Sequence, residues 1–254
     1  MGVLKGDTMK FKTKLSIAMA LSACLAVPTA SATNGYFTHG LGVKNKGMAG
    51  AGTAAPAETI SAASNPAAAV LVDEKWEVGL SLFSPRRSYK SSASQANGNG
   101  GAFTIGPNDL DSGREYFPIP YVGKAWKLDG NSALAVNFYG RGGMNTDWNG
   151  GTASLDPDGP GPAPVSTLPG TYGAGSAGVN LSQAFLDVTY AIQNGPLSVG
   201  ITGVLAMQAF KLKGIGTFAG YTKSFAASGG TAFPANLTNN GTDYSYGWGV
   251  KLGA

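Results

Sequence analysis

Six stretches of this chain alternate apolar and polar residues, 76–83, 117–128, 133–141, 181–190, 197–210 and 244–252, and the gaps between them run long, short, long, short, long. The connections after the first, third and fifth stretches are rich in Gly, Ser, Asn and Pro and each exceeds thirty residues, whereas 129–132 and 191–196 are tight turns. Each stretch is near the roughly 9 to 11 residues that a tilted strand needs to cross a bilayer. A soluble sandwich has no reason to sort its loops by length. A membrane barrel does, with short turns at one rim and long loops at the other. The pattern predicts an all-β chain whose residues 74–254 form part of a transmembrane antiparallel β-barrel, with six strands present.

The alternation also assigns faces. Trp76, Val78, Leu80 and Leu82 share one face against Glu77, Gly79 and Ser81. Leu134, Val136 and Phe138 oppose Ala135, Asn137 and Tyr139, and Ala184, Leu186 and Val188 oppose Gln183, Asp187 and Thr189. Val199, Ile201, Leu205 and Met207 oppose Ser198, Thr202 and Gln208, and Tyr244, Tyr246, Trp248, Val250 and Leu252 oppose Ser245, Gly247, Gly249 and Lys251. The apolar sets are expected to face lipid without any charge among them, because a Lys or Arg at the midplane costs about 2 to 4 kcal/mol. Glu77, Asp187 and Lys251 are expected in a wet lumen. The stretch 117–128 is the weak one: Pro118 and Pro120 cannot donate to a ladder, and its two faces are not distinguished. Trp76, Trp126 and Tyr190 at the short-turn rim, with Phe83, Phe117, Tyr139, Phe210 and Tyr244 toward the long-loop rim, read either as two interfacial girdles or as the ordinary aromatic enrichment of strands.

The N-terminus points to an exported protein. Lys10, Lys12 and Lys14 precede an apolar run over 15–27, and Ala30-Ser31-Ala32 supplies small residues for cleavage, so 1–32 reads as a secretory signal peptide with Met9 as its start. Leu21-Ser22-Ala23-Cys24 offers a competing reading, a lipoprotein box with Cys24 acylated. No other stretch approaches the eighteen apolar residues of a spanning helix, so the exported chain is expected to meet a membrane only as β-structure, in the bacterial outer membrane. Of 18 basic and 14 acidic residues, Lys5, Lys10, Lys12, Lys14 and Asp7 fall within the leader, which leaves 14 against 13, a net charge of +1. Nothing in that balance argues for nucleic acid. Cys24 is the only cysteine, so a chain cut after Ala32 has no thiolate for metal binding or nucleophilic attack.

Residues 33–73 are neither barrel nor linker. They read Asn34-Gly35-Tyr36-Phe37, Gly40-Leu41-Gly42, then Gly47-Met48-Ala49-Gly50-Ala51-Gly52, and close on Ser64-Asn65-Pro66-Ala67-Ala68. This segment resembles the N-terminal plug of the long-chain fatty acid transporter (FadL/TodX type) family of outer-membrane proteins, and the Asn65-Pro66-Ala67 triplet just before the first strand is its most specific mark. Asn137-Phe138-Tyr139-Gly140, Asn180-Leu181-Ser182 and Gly247-Trp248-Gly249 extend the likeness to the C-terminus. The resemblance implies a fourteen-stranded barrel closed by a plug (hatch), of which this chain supplies an N-terminal fragment, monomeric when full length. It implies passive, plug-gated uptake of a hydrophobic small molecule, a fatty acid or hydrocarbon, with no cofactor and no catalysis. Ligand is expected to leave sideways where the third strand kinks, at Tyr139, Gly140, Gly142 and Gly143, since glycine permits a bulge; the same glycines also read simply as the start of the second long loop.

The loop 211–243 is the candidate for ligand capture. Ile215, Phe218, Tyr221, Phe225 and Phe233 are many large apolar groups for one loop, with Lys211, Lys213 and Lys223 as cations for a carboxylate. The i, i+3, i+7 spacing of Phe218, Tyr221 and Phe225 predicts one face of a short helix, although self-packing of a large loop accounts for them equally. Arg86, Arg87 and Lys90 either face lipopolysaccharide phosphates or are solvated. Catalytic readings find little support: His39 has no second histidine, cysteine or serine elbow beside it, and Met48 stands where a P-loop requires lysine. Asp156-Pro157-Asp158-Gly159 is a turn lacking the remaining acids of a calcium loop. Two other classes are weighed: a secreted or surface adhesin or passenger built from Gly, Ser and Asn-rich β-structure, which predicts repeats that are not found, and a lipid-modifying enzyme, which needs a serine and histidine in the wall.

Overall fold

The computed structural model describes residues 37–92, 102–156, 158 and 161–254. The leader, Cys24 and the plug residues Asn34, Gly35 and Tyr36 lie outside the described residues, as do Pro157 and Gly159. The framework is a six-stranded antiparallel sheet in meander order, built from β1 (Trp76–Phe83), β5 (Phe117–Lys127), β6 (Ser132–Trp148), β9 (Ala177–Asn194), β10 (Leu197–Lys213) and β11 (Asp243–Gly253). Among the described residues no helix is long and apolar enough to cross a membrane. The described residues are therefore mostly antiparallel β-sheet with a few short helices, and the six principal strands fall on the six alternating stretches. Alternation succeeded because every one of these strands has two different environments on its two faces.

Those environments are reversed relative to a soluble sheet. Val78, Leu80, Leu82, Val199, Ile201, Leu205, Tyr246 and Val250 lie exposed on one face, with Leu252 and Trp248 at 77% and 83%. On the opposite face Asn137, Asp187, Thr189 and Thr202 are fully buried. Register carries each face across all six strands. Trp76, Val136, Val188 and Val250 fall in one open-face row, and Glu77, Gly123, Asn137, Asp187, Val204 and Gly249 form the adjacent covered row.

The covered face is roofed by residues 37–72. They fold as a short α1 (Val43–Gly47) and two 3-10 helices, Thr59–Ala63 and Pro66–Val70. Glu58 makes this compact: its buried carboxylate accepts the backbone N–H groups of Val43 (3.1 Å), Lys44 (3.0 Å) and Asn45 (3.4 Å), orphan donors that the first turn of any helix leaves open. Ala62, Ala69, Val70 and Val72 then pack on Ala125, Ala133, Ala135 and Ala191 of the sheet. A second cluster joins Leu41, Ile60 and Ala63 to Tyr121 and Tyr139, with Phe185 against it. The covered face is thus graded, small near the tight turns and aromatic farther along the strands.

Two expectations about the open face need correction. Lys124 lies on it, in the row of Trp76 and Val136, so the face is not free of charge. Its ammonium sits between the rings of Trp76 (5.9 Å) and Trp126 (5.7 Å) near the tight-turn end. The long-loop girdle does not form from the residues expected. Tyr139 is buried on the covered face, bonded to Asp187, and Phe210 shares the parity of the covered Thr202 and Gln208. Phe83 and Phe117 face each other at 6.4 Å in the register of that same face, leaving Tyr244 alone of the five on the open side.

The long loops are structured. The first contributes β2 (Ser88–Ser91), β3 (Ala102–Ile105) and β4 (Asn108–Asp111), and the second contributes β7 (Thr152–Asp156) and β8 (Ser166–Pro169). β2 pairs with β4, while β3 crosses to join β7 and β8 in a three-stranded sheet shared by both loops. Asn108 fixes the junction by exchanging two bonds with the backbone of Thr152, at 2.9 and 3.0 Å.

Candidate functional site

Three features meet on the covered face: an anchored N-terminal segment, a buried charged cluster, and an interruption of the sheet beside them. The anchor is the Asn65-Pro66-Ala67 triplet. Asn65 caps the 3-10 helix, its Oδ1 accepting Ala67 N at 3.1 Å, and Pro66 takes the first helical position, where its missing N–H costs nothing. The Asn65 Nδ2 donates to Thr53 O (3.3 Å) and Ala254 O (3.0 Å), tying the turn to its own segment and to the end of β11. Close approach is possible because the wall is glycine here. A Cβ on Gly200 would stand 2.5 Å from the Pro66 carbonyl carbon, and one on Gly253 would stand 2.6 Å from Pro66 Cδ.

The charged cluster begins at Asp187, fully buried on β9. Its Oδ2 accepts Lys251 Nζ at 2.5 Å and Tyr139 Oη at 3.0 Å, and the same ammonium donates to Ala63 O of the N-terminal segment at 2.7 Å. Three strands and the roof are joined at one carboxylate. Asp187 Oδ1 and both side-chain polar atoms of the neighbouring Asn137 are buried without a hydrogen-bond partner among the described residues. Glu77 accepts Thr59 N, Lys127 Nζ donates to Val70 O, and Lys46 Nζ donates to Ser81 Oγ at 2.6 Å. Beside its apolar packing, the roof is therefore attached through polar bonds to three strands, β1, β5 and β11. Burial pushes the Lys46 amine below its ordinary range.

The interruption lies between β5 and β6. Their ladder runs from Lys127–Ala133 to Tyr121–Tyr139 and ends there, although both strands continue. Pro118 and Pro120 remove two donors from β5 beyond that point, and on β6 the register with β9 shifts between Gly140 and Gly142, leaving Arg141 as the extra residue. The expected kink thus falls within a strand and not at the start of a loop. Gly140 approaches β5 closely, an added Cβ there lying 3.4 Å from Ile119 Cγ2, and Gly142 accommodates the Gln183 side chain. Gly143 pairs with Ser182 on the far side of the bulge. Arg141 stacks on the Phe37 ring at 5.3 Å, and Tyr139 stacks on Phe185 at 5.5 Å. Of the four residues expected at the lateral gap, Tyr139 and Gly142 fall on the face that Phe37, Asn65, Pro66 and Ala67 cover, while Gly140 and Gly143 fall in open-face register.

The capture loop is only partly as expected. Phe218 and Tyr221 lie in a 3-10 helix, Gly216–Tyr221, but Thr222 is extended and restarts the chain as α2 (Lys223–Ala227), its Oγ1 accepting Phe225 N at 3.2 Å. The break rotates Phe225 away, so the three aromatics do not share one helix face. Phe218 contacts Tyr172 of the second loop (5.8 Å), while Phe225 stacks on Phe233 (4.6 Å). Ile215 is half-buried and Lys223 exposed. Lys213 is not free for a carboxylate ligand, since its Nζ meets Asp147 at 2.6 Å. In the first loop Arg87 packs over Phe117, while Arg86 and Lys90 are both exposed, Lys90 pairing with Asp109 at 3.1 Å on the surface.

Sequence reasoning missed the Lys124 clamp and the Asn108 junction. The nearest signal for the first was the Trp76 and Trp126 pair flanking the rim. No known protein family model, curated protein or solved structure matches the chain.

Proposed function

We propose that this sheet is wall, and residues 37–72 plug, of an outer-membrane channel that takes up long-chain fatty acids or similar hydrophobic compounds and releases them sideways into the membrane. The observation that carries the reading is an inside-out sheet, greasy on its open face and polar on the face its own N-terminal segment covers, interrupted where β5 and β6 part. A fatty acyl chain gains about 0.8 kcal/mol per methylene withdrawn from water, so an exit into lipid suits it better than a wet pore. The interruption supplies a break in the backbone ladder, and Phe37 on Arg141 links it to the plug, so plug movement changes what borders the exit. An adhesin rich in the same small polar residues gains nothing from an exposed band of Val78, Leu80, Trp248 and Leu252, and a contiguous apolar surface of that kind marks a membrane or partner contact.

The test is a disulfide across the break. In the full-length protein Ile119→Cys with Gly140→Cys places two thiols within bonding reach of each other. Oxidised cells are expected to lose uptake of a fluorescent long-chain fatty acid and regain it on reduction, while heat-modifiable migration of the protein stays unchanged. Undiminished uptake with the bond formed would rule out the lateral route.

A further inference from the structure

The open face changes character at its long-loop end. On β10 the column Leu197, Val199, Ile201, Leu205 and Met207, at about 3.3 Å per residue and a tilt of about 40°, spans roughly the 25 Å apolar band of a membrane barrel. The same column continues as Lys211 and Lys213. These lysines line a cleft of about 190 Å³ with Arg114, Asn145, Asp147 and Asn180. Asp147 is the one carboxylate among them; it holds Lys213 Nζ at 2.6 Å and Arg114 Nε at 3.9 Å, so three cations face a single anion. The chain around Arg114 is fixed in place. Gly113 N donates to Asp147 O (2.9 Å), Ser112 Oγ accepts Asp147 N (3.1 Å), Ser112 N donates to Arg87 O (2.8 Å), and Arg87 Nη2 donates to Arg114 O.

We propose that this cleft binds the phosphate of an outer-leaflet glycolipid of the lipopolysaccharide class while the lipid's acyl chains lie along the apolar columns below it. The proposal rests on the membrane reading given above. A guanidinium offers paired donors to phosphate oxygens and Lys211 supplies compact charge, while Lys213, held by Asp147, offsets that carboxylate, and Asn145 and Asn180 sit in one row with Lys211 as further polar contacts. What selects a lipid over free phosphate is continuity. Charge begins where the greasy stripe ends, on the same face and in the same column.

The experiment uses the full chain and phosphatidylcholine vesicles carrying either bis-phosphorylated lipid A or the same acylated disaccharide with its phosphates removed. The expected result is retention of the phosphorylated lipid at least about tenfold tighter than the dephosphorylated one, since charge-assisted contacts of this kind are each worth about a decade in affinity. Arg114→Gln with Lys211→Gln abolishes that preference, and Arg114→Lys with Lys211→Arg retains most of it. The comparison of the two lipids on unaltered protein stands even where a variant folds poorly. Equal affinity for both lipids overturns the headgroup site and leaves the membrane reading intact. Full displacement by millimolar inorganic phosphate overturns the lipid assignment in favour of a free anion. Failure of the chain to enter either vesicle overturns the membrane reading, and the proposal with it.

Discussion

At the scale of single residues the wall is shaped by what it must admit. Gly200 and Gly253 lie side by side in register on β10 and β11, and both face Pro66. A methyl group on Gly200 meets backbone, which cannot yield as a flexible side chain would. Gly200→Ala is therefore expected to weaken attachment of the 59–72 segment by about 1 to 3 kcal/mol, the usual penalty of overpacking. Hydrogen exchange checks it: amides of that segment should lose protection while those of β9 and β10 keep theirs. Tyr139 illustrates the opposite difficulty. A tyrosine near a strand end fits either face of a sheet, and only the position of Asp187, forty-eight residues on, places it on the covered one.

At the scale of elements, local patterns were legible and distant partnerships were not. The six long strands and their tight turns follow from alternation and from Asp129-Gly130-Asn131 and Asn194-Gly195, where Asp129 accepts Asn131 N at 2.7 Å. The 37–72 segment stood out through its small residues and Asn65-Pro66-Ala67. β3 did not, because Ala102–Ile105 becomes a strand only by pairing with Ala153 to Asp156 of another loop. Faces beyond Gly140 were also hidden, since the extra residue Arg141 reverses the parity of β6 against the simple count. The shared loop sheet predicts an effect for one side chain. Asn108→Ala removes two bonds to the Thr152 backbone and is expected to cost about 1 to 3 kcal/mol locally. Faster proteolysis within both loops, with the main sheet still resistant, is the expected readout.

At the scale of the whole molecule, surface and interior have exchanged roles. The face covered by residues 37–72 is stitched by Asp187, Lys251, Glu77 and Lys127, and the open face carries the large apolar groups. Leu205, exposed in the middle of the apolar column of β10, tests this directly. If the open face meets lipid as proposed above, Leu205→Arg is expected to destabilise the inserted state by about 2 to 4 kcal/mol. Urea titration of the refolded full-length protein in vesicles measures it, and Gln208, on the covered face, serves as the control site for the same substitution.

The interruption between β5 and β6 is bounded at both ends. Below it stands the Tyr121–Tyr139 ladder; above it Ser112 bridges Trp148 and the loops clasp through β3 and β7. A break in the ladder pinned at top and bottom has a short, framed rim. On the transport reading proposed above, passage through such a frame should follow the cross-section of a cargo more than its greasiness. Slender flexible chains are expected to pass at similar speeds across a range of lengths, whereas rigid polycyclic molecules of equal hydrophobicity should be refused, as a transport series over both kinds of compound would measure.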